Sequence, residues 1–133
     1  MSLIARCHCG ATQIELPAVP VSAGQCNCTF CSRTGAAWAY YKPGELTFLA
    51  RNGEQMYSTN PDMHQHYFCG TCGMHTWGES PDWASMYNAD GTPKNGDPTA
   101  MPTARIQAIN LRLIDDLDWS GIKVEHMDGR HNW

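Results

Sequence analysis

Seven cysteines gathered into three short groups constrain this chain more than any other feature: Cys7-His8-Cys9-Gly10, Cys26-Asn27-Cys28-Thr29-Phe30-Cys31 and Cys69-Gly70-Thr71-Cys72-Gly73. Thiolates this close in sequence chelate one metal, because the few residues between them hold both sulfurs near the ~2.3 Å Zn–S distance while the tetrahedron is completed from elsewhere. A Cys-x-Cys pair does so from extended chain, where alternate side chains share a face, and a Cys-x-x-Cys pair from a turn. The glycines after Cys9 and Cys72 suit such turns, since Gly tolerates positive φ. Two pairs make a closed four-thiolate site, whereas three thiolates with an open fourth position are the arrangement of a catalytic zinc. Spacing alone leaves open which groups share a metal: the first pair can join either of the others.

The thiols also bear on compartment. The segment Met1-Ser2-Leu3-Ile4-Ala5-Arg6 holds no apolar run of the length of a signal peptide or membrane span. An odd number of cysteines without an export signal points to metal or catalytic use in a reducing compartment, so the protein reads as cytoplasmic. The 133 residues make one domain, residues 1–133, that buries roughly two-thirds of its unfolded surface. Nine Lys+Arg against thirteen Asp+Glu give a formal charge of −4, and no basic cluster occurs. Cysteine knuckles that bind nucleic acid need a cationic face toward the phosphates, so this balance excludes that partner class.

Short strand-like runs alternate with turn signals. Ala11 to Leu16 alternates, with Thr12, Ile14 and Leu16 on one face, and stops at Pro17. Ala36 to Lys42 ends at Pro43-Gly44. Leu46 to Leu49 and Glu54 to Ser58 flank Asn52-Gly53, a hairpin signal. His64 to Phe68 leads into the last cysteine pair and Met74 to Gly78 leads out of it. Arg105 to Ile114 carries Ile109, Leu111 and Leu113 on one face, and Ile122 to His126 adds a final strand. The pattern predicts a mainly β fold of twisted antiparallel sheets, with helical turns near Cys28 to Thr34 and Asp115 to Trp119. Residues 80–102 carry four prolines and several Asn/Asp-Gly turns, and read as a long loop insertion. Its Trp83, Met86 and Tyr87 imply packing onto its own domain, a lid, or a homodimer contact.

The ordered pattern Cys-x-Cys-Gly, Cys-x-Cys-x-x-Cys and Phe-Cys-x-x-Cys-Gly resembles the glutathione-dependent formaldehyde-activating enzyme family, relatives of centromere protein V. The similarity runs from about Ala5 to about Arg130 and includes Gly35, Phe68 and the closing Met127-Asp128-Gly129-Arg130. The resemblance implies a β-sandwich of the Mss4-like type with zinc-binding cysteine knuckles. It also implies that Cys7, Cys9, Cys69 and Cys72 hold a structural zinc, and that Cys26, Cys28 and Cys31 hold a second, catalytic one. The implied reaction joins glutathione and formaldehyde into S-(hydroxymethyl)glutathione, the work of a carbon–sulfur lyase in the reverse sense. Three thiolates weaken the Lewis acidity of Zn²⁺, which favours a role in holding the substrate thiol.

Two other classes compete with the lyase. A non-enzymatic zinc-binding interaction module is compatible with the same fold. A thiol redox enzyme of related fold needs a reactive cysteine late in the chain, and nothing after Cys72 is a cysteine. Arg33, two positions past Cys31, is a candidate for a bidentate pair with a substrate carboxylate, against a solvated surface arginine. His8, between two ligands, points away from the metal. His64 and His66 imitate a metal pair with no third partner, and His75 is a candidate substrate contact. Trp38, Tyr40 and Tyr41 fill the core or line a pocket wall.

Overall fold

The computed structural model describes residues 3–132; Met1, Ser2 and Trp133, the ends of the expected single domain, lie outside them. Among the described residues ten strands form two sheets with the core between them. In the smaller sheet, β1 (Leu3–Arg6) and β2 (Thr12–Leu16) pair antiparallel around the first cysteine pair, and β5 (Thr47–Arg51) pairs with the far edge of β2. The alternation read in β2 does its work: Thr12, Ile14 and Leu16 are buried and face the larger sheet's apolar residues.

The larger sheet has seven strands. They are β3 (Ser22–Cys26), β4 (Trp38–Tyr41), β6 (Glu54–Tyr57), β7 (Gln65–Cys69), β8 (His75–Pro81), β9 (Arg105–Asn110) and β10 (Lys123–Met127), in the order β10-β3-β4-β9-β8-β7-β6. Ala39, Ile109, Trp77 and Tyr67 lie opposite one another across β4, β9, β8 and β7, and this row supplies the larger sheet's side of the core. Successive residues of a strand point to opposite faces. Their neighbours Tyr40, Ala108, Gly78 and His66 therefore form a second row on the outer face, where α1 (Cys31–Thr34) and the second cysteine group lie.

The mainly β reading holds, but four local expectations need correction. The larger sheet is not wholly antiparallel: β10 runs parallel to β3, with Met127 opposite Cys26. Asn52-Gly53 turns the chain, but β5 and β6 do not pair with each other. The turn's backbone bonds outward instead, Asn52 N–H to the Ala11 carbonyl (3.0 Å) and the Gly53 carbonyl accepting from Gly70 N–H (3.0 Å), so it carries the chain from one sheet to the other. The run Arg105 to Ile114 stops as strand at Asn110, whose side chain accepts from Arg112 N–H and starts a 3-10 turn at Leu111–Leu113. Ile109 and Leu111 still bury completely. The helical turn expected over Asp115 to Trp119 gives way to a 3-10 turn at Trp119–Gly121, capped by Asp118.

Within residues 80–102, β8 extends to Pro81 and the irregular chain starts at Asp82. The segment folds onto itself: the Tyr87 hydroxyl donates to the Ala100 carbonyl (2.7 Å), the Trp83 and Tyr87 rings meet edge to face, and Asp82 N–H donates to the Ala104 carbonyl at the neck. Among the described residues no helix is long and apolar enough to cross a membrane.

Candidate functional site

The first and third cysteine groups meet between the sheets. Cys7 and Cys9 sit on the turn after β1, Cys69 ends β7, and Cys72 lies on the turn that follows. Their four sulfurs lie within 4.8 Å of one another, with Cys7–Cys9 at 3.7 Å and Cys9–Cys69 at 3.6 Å. A tetrahedron with metal–sulfur bonds of ~2.3 Å has edges of about 3.8 Å, so these separations suit a metal with four thiolate ligands. Gly10 and Gly73, at φ of 83° and 80°, make the left-handed turns the sequence called for. Backbone amides face the sulfurs: Thr12 N–H points at Cys7 Sγ (3.3 Å), and Thr71 and Cys72 N–H at Cys69 Sγ (3.4 and 3.5 Å).

Without a cation, four crowded thiols share charge unevenly. The Met74 amide pulls Cys72 down to about 6 against some desolvation, with help from the Cys9 amide. Cys9 is pushed up to about 11 by Cys69 and its other neighbours, although the Ala11 amide favours its thiolate. A divalent cation removes that conflict by stabilising all four as thiolates.

The second group assembles on the outer face of the larger sheet from one short stretch of chain. Cys26 ends β3, Cys28 lies in the following turn, and Cys31 opens α1. Their sulfurs also lie within 4.8 Å of one another, and among the described residues no further His, Cys, Asp or Glu completes the set. Cys28 N–H points at Cys26 Sγ (3.4 Å) and Cys31 N–H at Cys28 Sγ (3.3 Å). Burial, and then the neighbouring Cys28 thiolate, push Cys31 up to about 12. Cys28 moves the other way: its burial is outweighed by the Cys31 amide and the flanking thiols.

A clamp from the C-terminal end braces this loop. The parallel register of β10 on β3 delivers Asp128 and Arg130 beside Asn27. Asn27 Nδ2 donates to Asp128 Oδ1 (2.9 Å), and Asn27 N–H to the Met127 carbonyl (3.1 Å). In return Arg130 N–H donates to Asn27 Oδ1 (3.0 Å), its Nε to the Asn27 carbonyl (2.9 Å) and its guanidinium to Ser32 Oγ (3.1 Å). Sequence reasoning noted Met127-Asp128-Gly129-Arg130 but gave it no role, and passed over Asn27. The signal was an Asp-Gly-Arg turn right after a strand; its destination depends on a strand pairing that no local pattern reveals.

Two cavities adjoin the three-cysteine cluster, and Cys31 lines both. One of about 500 Å³ is walled by Gln25, Cys26, Asn27, Ser32 and Asp128. The other, about 130 Å³, lies between Tyr40 and His66. Tyr40 is half-exposed, yet packing around its hydroxyl and the thiolates of Cys31, Cys26 and Cys28 raise its pKa. His66 stacks on Phe30 with ring centroids 3.8 Å apart, and burial followed by the neighbouring His64 and His75 lowers it to about 4. His64 and His66 belong to no metal-ligating group among the described residues. Instead His64 Nδ1 lies 3.1 Å from Ser58 Oγ. His75 packs edge-on against Phe30 and its buried Nδ1 lacks a partner. His8 is exposed beside the first cluster. Arg33 is exposed, donates from Nη1 to the Thr29 carbonyl (2.8 Å) and does not line either cavity.

Comparison with known proteins agrees with this geometry. The chain is similar to a solved crystal structure of a Rhodobacter sphaeroides protein, at 21% identity and a TM-score of 0.62 over 91% of this chain and 98% of that one, a likeness of fold. No curated protein matches. The family model described as glutathione-dependent formaldehyde-activating enzyme matches residues 2–106, a span that holds all seven cysteines and ends before β10 and the Arg130 clamp. The mainly β architecture with cysteine knuckles is the Mss4-like fold of that family. Matched over most of its length, the chain belongs to the glutathione-dependent formaldehyde-activating enzyme family.

Proposed function

We propose that the protein is a cytoplasmic zinc enzyme of the carbon–sulfur lyase type that acts on a thiol–aldehyde adduct, joining glutathione and formaldehyde into S-(hydroxymethyl)glutathione. The observation that carries this reading is the contrast between clusters: four converging thiols in one, three thiols beside a cavity in the other. Soft thiolate sets of near-tetrahedral spacing suit zinc. Cys7, Cys9, Cys69 and Cys72 would hold a structural ion, and Cys26, Cys28 and Cys31 a catalytic one. At the second site the bound metal supplies a docking point at which a substrate thiol stays ionised near neutral pH.

The chain's own residues do the rest. The amides of Cys28 and Cys31 orient the ligand sulfurs and moderate their charge. Gln25 and Ser32, whose hydroxyl keeps its own proton to donate, line the larger cavity with groups suited to a peptide backbone, while Asn27 is held by the clamp. At ~30 Å³ per water, that cavity has room for about sixteen non-hydrogen atoms, the scale of a tripeptide thiol. Arg33, with one Nη1 donor engaged on Thr29 and no part in either cavity wall, keeps further donors in solvent for a glutathione carboxylate that extends beyond the cavity. In the reaction the sulfur–carbon bond forms, the carbonyl π pair moves to oxygen, and the proton lost by the thiol is balanced by one gained at that oxygen.

The test is adduct formation above the uncatalysed rate, measured for a panel of thiols and aldehydes on zinc-loaded protein. Glutathione with formaldehyde is the preferred pair. Loss of that turnover in Cys28→Ser, with the fold retained, supports the reading. Absence of turnover with every pair, together with loss of a protein partner in the same variant, favours a zinc-binding interaction module.

A further inference from the structure

The smaller cavity owes its existence to the register of four strands. On the outer face of the larger sheet Tyr40, Ala108, Gly78 and His66 stand directly opposite one another across β4, β9, β8 and β7. The two ends of the row are large and the two middle positions are the smallest side chains available. The result is a trough whose floor is Ala108 and Gly78 and whose walls are Tyr40 and His66. Cys31 lines it from the side of α1, and Phe30 stacks on the His66 wall. Glycine inside a strand often marks a close approach, and here a Cβ on Gly78 would meet the Gln65 carbonyl at 2.8 Å and His66 Nδ1 at 3.6 Å.

Cys31 lines both this trough and the larger cavity, and no other described residue is common to the two linings. The trough's lining is mainly apolar, and Tyr40, His64, His66 and Ser80 are among the residues that bring polar groups to it, the mix that suits a small carbonyl compound. A neutral imidazole offers one donor and one acceptor, which serve a carbonyl or its hydrate equally. At ~30 Å³ per water, 130 Å³ accommodates about four non-hydrogen atoms.

We infer that this trough is the carbonyl pocket, which suits an aldehyde of about four non-hydrogen atoms better than a larger one, with Ala108 and Gly78 as the residues that set its depth. The thiol and the aldehyde then approach the three-cysteine cluster from different cavities that share Cys31. This rests on the thiol–aldehyde reading of the site and adds where the aldehyde sits and what bounds its size.

Two measurements test it, one of them independent of turnover. In the first, zinc-loaded protein is titrated with formamide, an unreactive carbonyl of formaldehyde-like size, while the ring signals of His66 and Tyr40 are followed by NMR. Saturable shifts with formamide, none with benzamide, and loss of the formamide response in Ala108→Val are expected. No saturable shift, or an equal response to benzamide, overturns the pocket. In the second, glutathione turnover is compared across formaldehyde, acetaldehyde and benzaldehyde with the native chain, which needs no variant to fold. Efficiency should fall steeply with size, and Ala108→Val should raise the KM for formaldehyde at least about tenfold, the scale of one misplaced methylene. Its zinc content and KM for glutathione should stay within twofold. Unchanged formaldehyde KM in a folded Ala108→Val, or benzaldehyde used as readily as formaldehyde, removes the size limit. Formamide binding as described without turnover of any aldehyde leaves the pocket standing and sinks the lyase reading alone.

Discussion

The two cysteine clusters use the same side chain for opposite ends. The four-cysteine cluster joins residues sixty positions apart in sequence, from the turn after β1 and from the end of β7 with the turn that follows it, and two of its thiols, Cys7 and Cys69, are almost wholly buried. The three-cysteine cluster is local, comes from a six-residue stretch, and its thiols are all partly accessible beside two cavities. Ligands that close a long loop couple metal binding to folding of the whole domain, because the site does not exist in the unfolded chain. Ligands on one short turn need little of the fold to be present, so that site is free to exchange its contents. Under the proposed function, position in the chain would separate the structural site from the chemical one.

The hardest way to break this comparison is to remove a long-range ligand. Cys7→Ser or Cys72→Ser leaves three thiolates around a cation between the sheets and loosens the bonds from Asn52 and Gly53 that hold the two knuckles together. Structural zinc contributes of order 10 kcal/mol in small zinc domains, comparable with the whole stability of a domain this size. Both variants should lose cooperative unfolding, read by circular dichroism, or collect as insoluble protein. A melting temperature within a few degrees of the parent would end the structural assignment.

Removal of a local ligand should do the reverse. Cys28→Ser and Cys31→Ser should keep the melting transition close to the parent, since the core of Ile14, Trp77, Ile109 and Leu111 is untouched. They should lose the second metal and the turnover. A mild chelator acting on the parent should draw one equivalent of zinc quickly, followed by a second only on unfolding. Simultaneous release of both would make the clusters alike.

What the sequence made legible follows the same division between local and distant. The knuckle turns at Gly10 and Gly73 and the inward face of β2 are local, and spacing or alternation revealed them. Strands β1 and β3 were passed over: Leu3–Arg6 is too short to alternate clearly, and Ser22–Cys26 is small-residue chain with Gly24 in its middle. Which knuckles share a site came from family resemblance, because spacing allows either pairing. The parallel placement of β10, the turn that sends β5 and β6 to different sheets, and the Tyr40–Ala108–Gly78–His66 row all depend on which distant strands become neighbours. No window along one strand holds that information.

The Arg130 clamp sharpens the comparison, since it is a long-range support of the local site. Arg130→Ala removes the two side-chain bonds, to the Asn27 carbonyl and to Ser32 Oγ, at an exposed position, which we place at about 1 kcal/mol in total, or roughly fivefold faster zinc loss from the second site. The backbone N–H bond survives the substitution, so the loss is partial. Lysine keeps the charge but not the fork that reaches both partners, and Arg130→Lys should fall between. Stopped-flow release to a chromophoric chelator measures this directly, and the first zinc should be unaffected. Equal acceleration at both sites would mean that the residue supports the fold and not the loop.

The smallest effect belongs to Arg33. Its Nη1 bond to the Thr29 carbonyl ties the side chain to the cysteine loop, while its exposure leaves the remaining donors in water. An exposed pair with a substrate carboxylate is worth about 0.2–1 kcal/mol, so Arg33→Ala should raise the KM for glutathione by no more than about fivefold and leave kcat unchanged. The informative control is cysteamine, a thiol without a carboxylate. Its KM should not move in the variant if the guanidinium meets the substrate, and should rise along with that of glutathione if the arginine merely holds the loop through Thr29. Added salt distinguishes the two again: screening weakens an exposed ion pair and should bring the parent's KM for glutathione toward the variant's, whereas a neutral carbonyl acceptor within the loop responds far less.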